Sequence, residues 1–254
     1  MTETDSSPPF IRVTGLRKSF GTQKILQGVD LDICHGETLV LIGPSGEGKS
    51  VLLKHIIGLL HPDGGQVELD GVNLSEMSER QLLVARRRMG YLFQNAALFA
   101  SLTVAENVAF PLREAGVRDP GVLAERVHEA LDLVELSAHK DKMPINLSGG
   151  MRKRVGIARA IITRPECILY DEPTAGLDPV VTDVIDHMIQ RMQKHFRVTS
   201  VVITHDMNSV FRIADRVVML KNGVVSFNGT PEQLRGSPDP EIQNFIAGRS
   251  GITA

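Results

Sequence analysis

Hydrophobic positions change period several times along the chain, and each change marks an element. Residues 11–16 and 25–33 alternate apolar and polar side chains, the period of half-buried strands, with Gly21-Thr22 as the turn between them. Thr38–Ile42 is continuously apolar and Val51–Leu60 repeats apolar residues at helical spacing, so a buried strand feeds a helix predicted over Ser50–Leu60 and stopped before Pro62. Gln66–Leu69 and Val72–Leu74 flank the hairpin signal Asp70-Gly71, Ser78 and Gln81 form the capping box of a helix running to Arg88, and Met89–Phe93 is a short strand ending at Gln94. From Ala96 to about Ile145 the pattern is helical, with three- and four-residue apolar spacing over Leu102–Glu114 and Val122–Leu136. Strand and helix then alternate again: a helix over Gly149–Ile162, a strand Cys167–Tyr170, a helix Thr182–Lys194, a strand Val201–Ile203 and a helix Met207–Ile213. A hairpin follows, Val217–Leu220 and Val224–Phe227 turned by Asn222-Gly223, before short helices at Pro231–Leu234 and Pro240–Ala247.

This alternation predicts an α/β fold, a parallel sheet with helices on both faces and its chemistry at the carboxyl ends of the strands. Gly43, Gln94, Asp171-Glu172 and His205 each follow such an end, so one edge of one sheet gathers them. Residues 1–9 are expected to be disordered and 10–95 with 146–235 to form the α/β core with an antiparallel β-subdomain. Residues 96–145 are expected to form an inserted helical subdomain, and 236–254 a C-terminal extension whose last residues are loose.

Gly43-Pro44-Ser45-Gly46-Glu47-Gly48-Lys49-Ser50 fits G-x-x-x-x-G-K-[ST] between strand and helix, the context a phosphate-binding loop requires. The glycines let successive N–H groups turn inward around a phosphate, and the helix start adds its positive dipole end. Lys49 brings a full charge to the β- and γ-phosphates, and Ser50 offers a hydroxyl to Mg²⁺. Asp171-Glu172 after an apolar strand suits a Mg²⁺-binding acid beside Ser50, followed by a carboxylate that orients or deprotonates the attacking water. Taken alone, such a pair is also a common helix cap. Ser148-Gly149-Gly150 opens a helix with free amides and no side chain to block approach, a second anion site; a plain N-cap is the alternative. One nucleotide already has its loop, so a second phosphate site must serve another molecule's nucleotide. Phe20 is either a core residue or a platform for an adenine ring, and His205 by itself reads as structural.

Composition narrows the class. A formal net charge of −2, with 42 % apolar and 23 % charged residues, is ordinary for a soluble globular chain and argues against a general nucleic-acid binder. Arg86-Arg87-Arg88 reads first as a solvated helix end, with an anion or partner contact as the alternative. Cys34 and Cys167 lie in apolar runs and read as small core residues in a reduced compartment, and the histidines show no metal-ligand spacing. The first nine residues are acidic and polar, unlike a secretory or mitochondrial leader, and no apolar run approaches the roughly 20 residues of a membrane span. A cytoplasmic protein is expected, meeting a membrane only through a partner.

The set Gly43–Ser50, Gln94, Leu147–Met151, Ile168–Glu172, Ala175-Gly176-Leu177-Asp178 and His205, in this order, resembles the ATP-binding cassette family of ATPases over about residues 10 to 235. The resemblance implies a P-loop, RecA-like core, the substrate ATP with Mg²⁺, and a head-to-tail homodimer. In that dimer the phosphate loop of one subunit and Ser148-Gly149-Gly150 of the other sandwich each nucleotide. It further implies that Phe20 stacks on adenine, that Gln94 touches Mg²⁺ and contacts a transporter, and that Ser148 and Gly150 bind the opposing γ-phosphate. Asp178 would couple the two sites, His205 would hold the γ-phosphate, and Glu172 would be the general base. Met151 departs from the family's frequent Gln and should leave the phosphate contact intact.

A narrower likeness rests on residues 93–112, the Gly-Gly-Met signature and residues 237–245, which resemble the ATPases of maintenance-of-lipid-asymmetry and Mce-type transporters. It implies an integral membrane permease pair, an MCE-domain substrate-binding protein, a peripheral position on the cytoplasmic face of the inner membrane, and movement of phospholipid or a related lipid. The helical segment after Gln94 is where a permease's cytoplasmic helix would dock. An ATPase for another solute is the alternative, since the chain has no substrate pocket of its own. Cassette ATPases acting on DNA or ribosomes fit less well: only the stretch 95–146 separates Gln94 from Leu147, leaving no room for a long coiled coil, and the chain holds a single phosphate loop.

Overall fold

The computed structural model describes residues 8–249, and the expectations for residues 1–7 and 250–254 lie outside them. Strands β1 (Ile11–Phe20) and β2 (Gln23–Ile33) are followed by β3 (Thr38–Ile42), which feeds α1 (Lys49–Ile56). β4 (Gly64–Leu69) and β5 (Val72–Asn73) form the predicted hairpin, and α2 (Glu79–Arg86) leads into β6 (Met89–Leu92). The helical stretch holds α3 (Val104–Glu114) and α4 (Pro120–Leu133). After it come α5 (Gly149–Ile161), β7 (Cys167–Asp171), α6 (Pro179–Phe196), β8 (Thr199–Ile203) and α7 (Met207–Ile213). β9 (Arg216–Lys221), β10 (Val224–Gly229), α8 (Pro231–Arg235) and α9 (Pro240–Ile246) complete the fold.

The strands form two sheets. A four-stranded antiparallel sheet runs β2-β1-β4-β5, and a six-stranded sheet runs β10-β9-β3-β8-β7-β6. In the second, β9, β3, β8, β7 and β6 are mutually parallel and only β10 is antiparallel. Every residue of β3, β7 and β8 is buried, as their unbroken apolar runs require of strands covered on both faces. Their side chains divide by period two. Val40, Ile42, Ile168, Tyr170 and Val202 join a core shared with α3, α4, α5 and α6, whereas Leu39, Leu41, Leu169, Val201 and Ile203 meet α1 and the antiparallel sheet. On α1, Leu52, Leu53 and Ile56 are fully buried, each contributing about 1.5–3 kcal/mol.

Three expectations are corrected. The helix predicted to begin at Thr182 begins at Pro179, because Asp178 accepts from the backbone N–H groups of Val180 and Val181 and Pro179 supplies a preset φ at the first position. Cys34 is exposed: the alternation that buries Ile33 turns the next side chain outward, and only Cys167 is a core residue. Arg86-Arg87-Arg88 is not uniformly solvated. Arg87 is exposed, but Arg88 grips Glu166 with two bonds of 2.6 and 2.8 Å, pairs with Asp70 and lies over the Phe10 ring, and Arg86 donates to the Gly58 carbonyl. These arginines cap carbonyls and carboxylates where α2 passes into the large sheet. Among the described residues no helix is long and apolar enough to cross a membrane.

Candidate functional site

Along the six-stranded sheet the neighbours β3, β8, β7 and β6 all present their carboxyl ends to one edge. Gly43 follows β3, His205 follows β8 by two residues, Glu172 follows β7 directly, and Gln94 follows β6 by two residues. The edge is therefore occupied in the order phosphate loop, His205, Asp171-Glu172, Gln94.

The loop closes tightly on the fold. Gly43 has φ 137°, and a Cβ there would stand 2.1 Å from the Leu220 carbonyl oxygen of β9, so no other residue type fits without moving a backbone. Pro44, Ser45 and Gly46 form the more open part of the loop, and Gly48 caps α1 in a left-handed conformation. The Glu47 carboxylate accepts from the Gly223 N–H in the turn between β9 and β10 at 3.4 Å. Lys49 is buried, and its ammonium donates to the carbonyls of Gly43 and Pro44 at 2.8 and 2.7 Å. Burial lowers its pKa, against the opposing fields of Glu172, Glu47 and Asp171.

Two pairs link the strand ends. The Ser50 hydroxyl donates to Asp171 Oδ1 at 2.9 Å, and Asp171 Oδ2 also accepts from the Tyr91 hydroxyl at 3.2 Å. The Glu172 carboxylate meets His205 Nε2 through Oε1 at 2.7 Å and Gln94 Nε2 through Oε2 at 3.2 Å. Glu172 has φ 50°, and its N–H donates to the Ile203 carbonyl at the end of β8. Residues drawn from four separated stretches thus share one hydrogen-bonded edge.

The remaining predicted residues stand apart from this group. Phe20 is 49 % exposed at the end of β1, with Lys18 Nζ 5.7 Å from its ring centroid. Ser148 is the exposed N-cap of α5 and accepts from the Met151 N–H at 3.3 Å, so Met151 leaves the cap intact. A Cβ on Gly150 would fall 2.5 Å from Val181, which places the Ser148-Gly149-Gly150 turn against the start of α6, where Asp178 is the exposed N-cap. Among the described residues no cluster of three or more His, Cys, Asp or Glu side chains could hold a metal ion. An ion at this edge would rest on the hydroxyl and carboxylate of Ser50 and Asp171, hard oxygen donors that suit Mg²⁺.

Tyr91, Lys153 and Arg159 were not singled out as site residues by their sequence positions. Tyr91 reaches Asp171, and burial together with that carboxylate raises the pKa of its phenol. The basic run 152–154 separates in space: Arg152 donates to the Leu147 carbonyl, Arg154 to the Val134 carbonyl, and Lys153 to the carbonyls of Gln94 and Glu172. A signal was present, because Lys153 falls on the face of α5 that carries Gly150, Ile157 and Ala160, and a lysine on a buried face must find acceptors.

Comparison with known proteins places this geometry. The family described as "ABC transporter" matches residues 26–175. The chain is 42 % identical over 94 % of its length to a protein of Mycobacterium leprae described as a probable ribonucleotide transport ATP-binding protein, of which it covers 69 %. It is 38 % identical, again over 94 % of its length, to an intermembrane phospholipid transport system ATP-binding protein of Haemophilus influenzae, of which it covers 91 %. Among solved structures, an ATP-binding cassette in a dimeric post-hydrolysis state with ADP and Pi superposes with a TM-score of 0.81 at 32 % identity, over 87 % of this chain and 98 % of the other.

Proposed function

Because this chain belongs to the ATP-binding cassette (ABC) transporter family of ATPases, we propose that it powers movement of phospholipid or a related lipid between envelope membranes, through ATP-driven closure of a cassette homodimer. The ATPase chemistry is carried by one observation above all: Lys49, Ser50, Asp171, Glu172 and His205, distant in sequence, share a single strand edge with Ser50 bonded to Asp171 and His205 bonded to Glu172. On this reading Lys49 and the loop N–H groups of residues 45–50 hold the nucleotide's phosphates. Ser50 and Asp171, with Gln94, would hold Mg²⁺, which when bound neutralises phosphate charge. Glu172 is the base. It takes a proton from the water that attacks the γ-phosphorus, the bond to the β-phosphate oxygen breaks, and ADP departs. His205 and Gln94, each already bonded to one oxygen of that carboxylate, fix its direction, and His205 also holds the γ-phosphate. Phe20 offers its exposed ring to the adenine.

Ser148, Gly149 and Gly150 serve the nucleotide of a second copy, with Asp178 coupling the two sites. Cassettes of this family dimerise and work with membrane permeases. For this chain the docking surface is the helical segment after Gln94, flanked by the exposed Phe93 before it and Phe99 at its start. The lipid reading is supported by the resemblance of residues 93–112 and by the phospholipid-transport relative, which this chain covers almost end to end. It implies a multi-span permease and an MCE-domain protein as partners, at the cytoplasmic face of the inner membrane.

The test is affinity capture of the tagged chain from detergent-solubilised native membranes, with mass spectrometry of the proteins and lipids that follow it. A multi-span permease, an MCE-domain protein and phospholipid are expected. A permease accompanied by a solute-binding protein of another kind would discard the lipid assignment while keeping the ATPase.

A further inference from the structure

Lys153 is the buried cation that the nucleotide chemistry leaves without a part. It lies in the second turn of α5, 6 % exposed, and its ammonium spends its protons on the main-chain carbonyls of Glu172, at 2.7 Å, and of Gln94. Burial lowers its pKa, opposed by Glu172 and Asp171. An ammonium kept away from water is costly unless its donors are matched, so the two carbonyls are what allow it to stay.

Those carbonyls belong to two of the residues that carry the site. Glu172 sits at φ 50°, a conformation that a side-chain-bearing residue keeps only when its surroundings impose it. Its N–H is fixed on the Ile203 carbonyl, and its C=O accepts from Lys153 at 2.7 Å and, over a longer 3.4 Å, from the Ala175 N–H. The residue after it is Pro173, which has no N–H to tie down the next peptide. Gln94 is held twice as well: its carbonyl by Lys153, and its side chain on Glu172 Oε2. Farther along α5, Arg159 donates to the carbonyls of Ala96 and Ala97, both at positive φ. The segment 94–97 and the peptide of Glu172 therefore hang from one helix, and of the two cations on it Lys153 is the one bonded to both.

The geometry points to Lys153 as the positioning residue that joins the segment 94–97 to the peptide of Glu172, so that the Glu172 carboxylate is aimed at the attacking water only while the ammonium bridges the two carbonyls. The inference rests on the reading of Glu172 as the base. A shift of segment 94–97 is passed to Glu172 through this bridge as well as through the Gln94 side chain.

The experiment is steady-state ATP hydrolysis and nucleotide titration on the full chain carrying Lys153→Met, which keeps the stem and removes the donors. The expected result is a kcat at least tenfold lower with KM and Kd for ATP within twofold of wild type. Lys153→Gln restores two N–H donors and is expected to recover at least a third of the wild-type kcat. Turnover of Lys153→Met above a tenth of wild type, or a loss carried by KM, would overturn the inference. So would a folded Lys153→Gln as inactive as the Met variant. If Lys153→Met does not fold, Lys153→Gln decides alone: a kcat below a third of wild type, or a raised KM, sinks the proposal, and a kcat of a third or more with unchanged KM upholds it. Glu172→Gln is measured beside them. Retained turnover there defeats the base reading itself, whereas an inactive Glu172→Gln beside a fully active Lys153→Met defeats only the positioning role.

Discussion

Lys49→Met should weaken ATP binding and leave the fold as stable as before. The Lys49 ammonium donates to two neutral carbonyls, Gly43 and Pro44, which on the proposed reading it would exchange for phosphate oxygens when a nucleotide binds. Replacing a neutral acceptor by an anionic one gains about 1–1.5 kcal/mol per hydrogen bond. Two such exchanges amount to about 2–3 kcal/mol, or roughly 30- to 150-fold in Kd. Stability follows a different account. Removing the ammonium forfeits two hydrogen bonds but relieves the burial that lowers its pKa, so the net change should stay within about 1 kcal/mol, or about 4 °C in Tm. A pH series adds a sign. With the folded pKa depressed, the unfolded chain binds the proton more tightly between that value and the ordinary lysine value of about 10.4. Wild type should therefore gain stability relative to Lys49→Met as pH rises through that window. Lys153 titrates in the same sense, but it is present in both proteins and cancels from the difference. Calorimetric titration with ATP and thermal unfolding measure the two quantities. A Kd within about fivefold of wild type would refute the phosphate reading, and a Tm lower by more than about 8 °C would refute the argument from burial.

Two further substitutions separate site from scaffold. Ser148→Arg should abolish hydrolysis while the isolated chain binds ATP within about threefold of wild type, at a loss of about 1 kcal/mol from the N-cap. Failure of the single chain to bind ATP would show that residue 148 acts within its own subunit. Gly43→Ala meets the Leu220 carbonyl at 2.1 Å and an unfavourable φ, costing about 2–5 kcal/mol, whereas Gly46→Ala, with nothing within 4 Å of its Cβ, meets the backbone term alone at about 1–2 kcal/mol. Thermal unfolding should rank them in that order, and equal melting temperatures would show that β9 yields without cost.

Much of this architecture was legible because the periods are unambiguous. The buried runs Thr38–Ile42 and Cys167–Tyr170 became central strands, and Asn222-Gly223 became a turn with positive φ at both residues. Misreadings arose where a local signal competed with the period. Asp178-Pro179 is a strong helix start, but the apolar repeat drew the boundary inward to Thr182. The apolar neighbours of Cys34 suggest a core position, but strand alternation turns its side chain out. The positions of Tyr91 and Lys153 illustrate a deeper limit. Their partners are Asp171 on another strand and main-chain carbonyls of residues far along the chain, and acceptors of that kind leave no mark at fixed sequence spacing.

The strand order also explains why nucleotide chemistry is readable here and the transported solute is not. Because β8 and β7 lie between β3 and β6, His205 and Glu172 fall between the phosphate loop and Gln94, and the Glu172 carboxylate touches a neighbour on each side. On the proposed reading a nucleotide would engage the edge at Lys49 and a partner docked after Gln94 would engage it from β6, so hydrolysis would be sensitive to both because Glu172 stands between them. The side chains on this edge meet one another and, on the proposed reading, would meet phosphate, so none is left to distinguish a lipid from another solute. On the proposed reading that distinction would belong to a partner seated against the exposed Phe93, Phe99 and the helices beyond them. Recovering that partner is therefore the decisive test of substrate, while substitutions on the edge test only the engine.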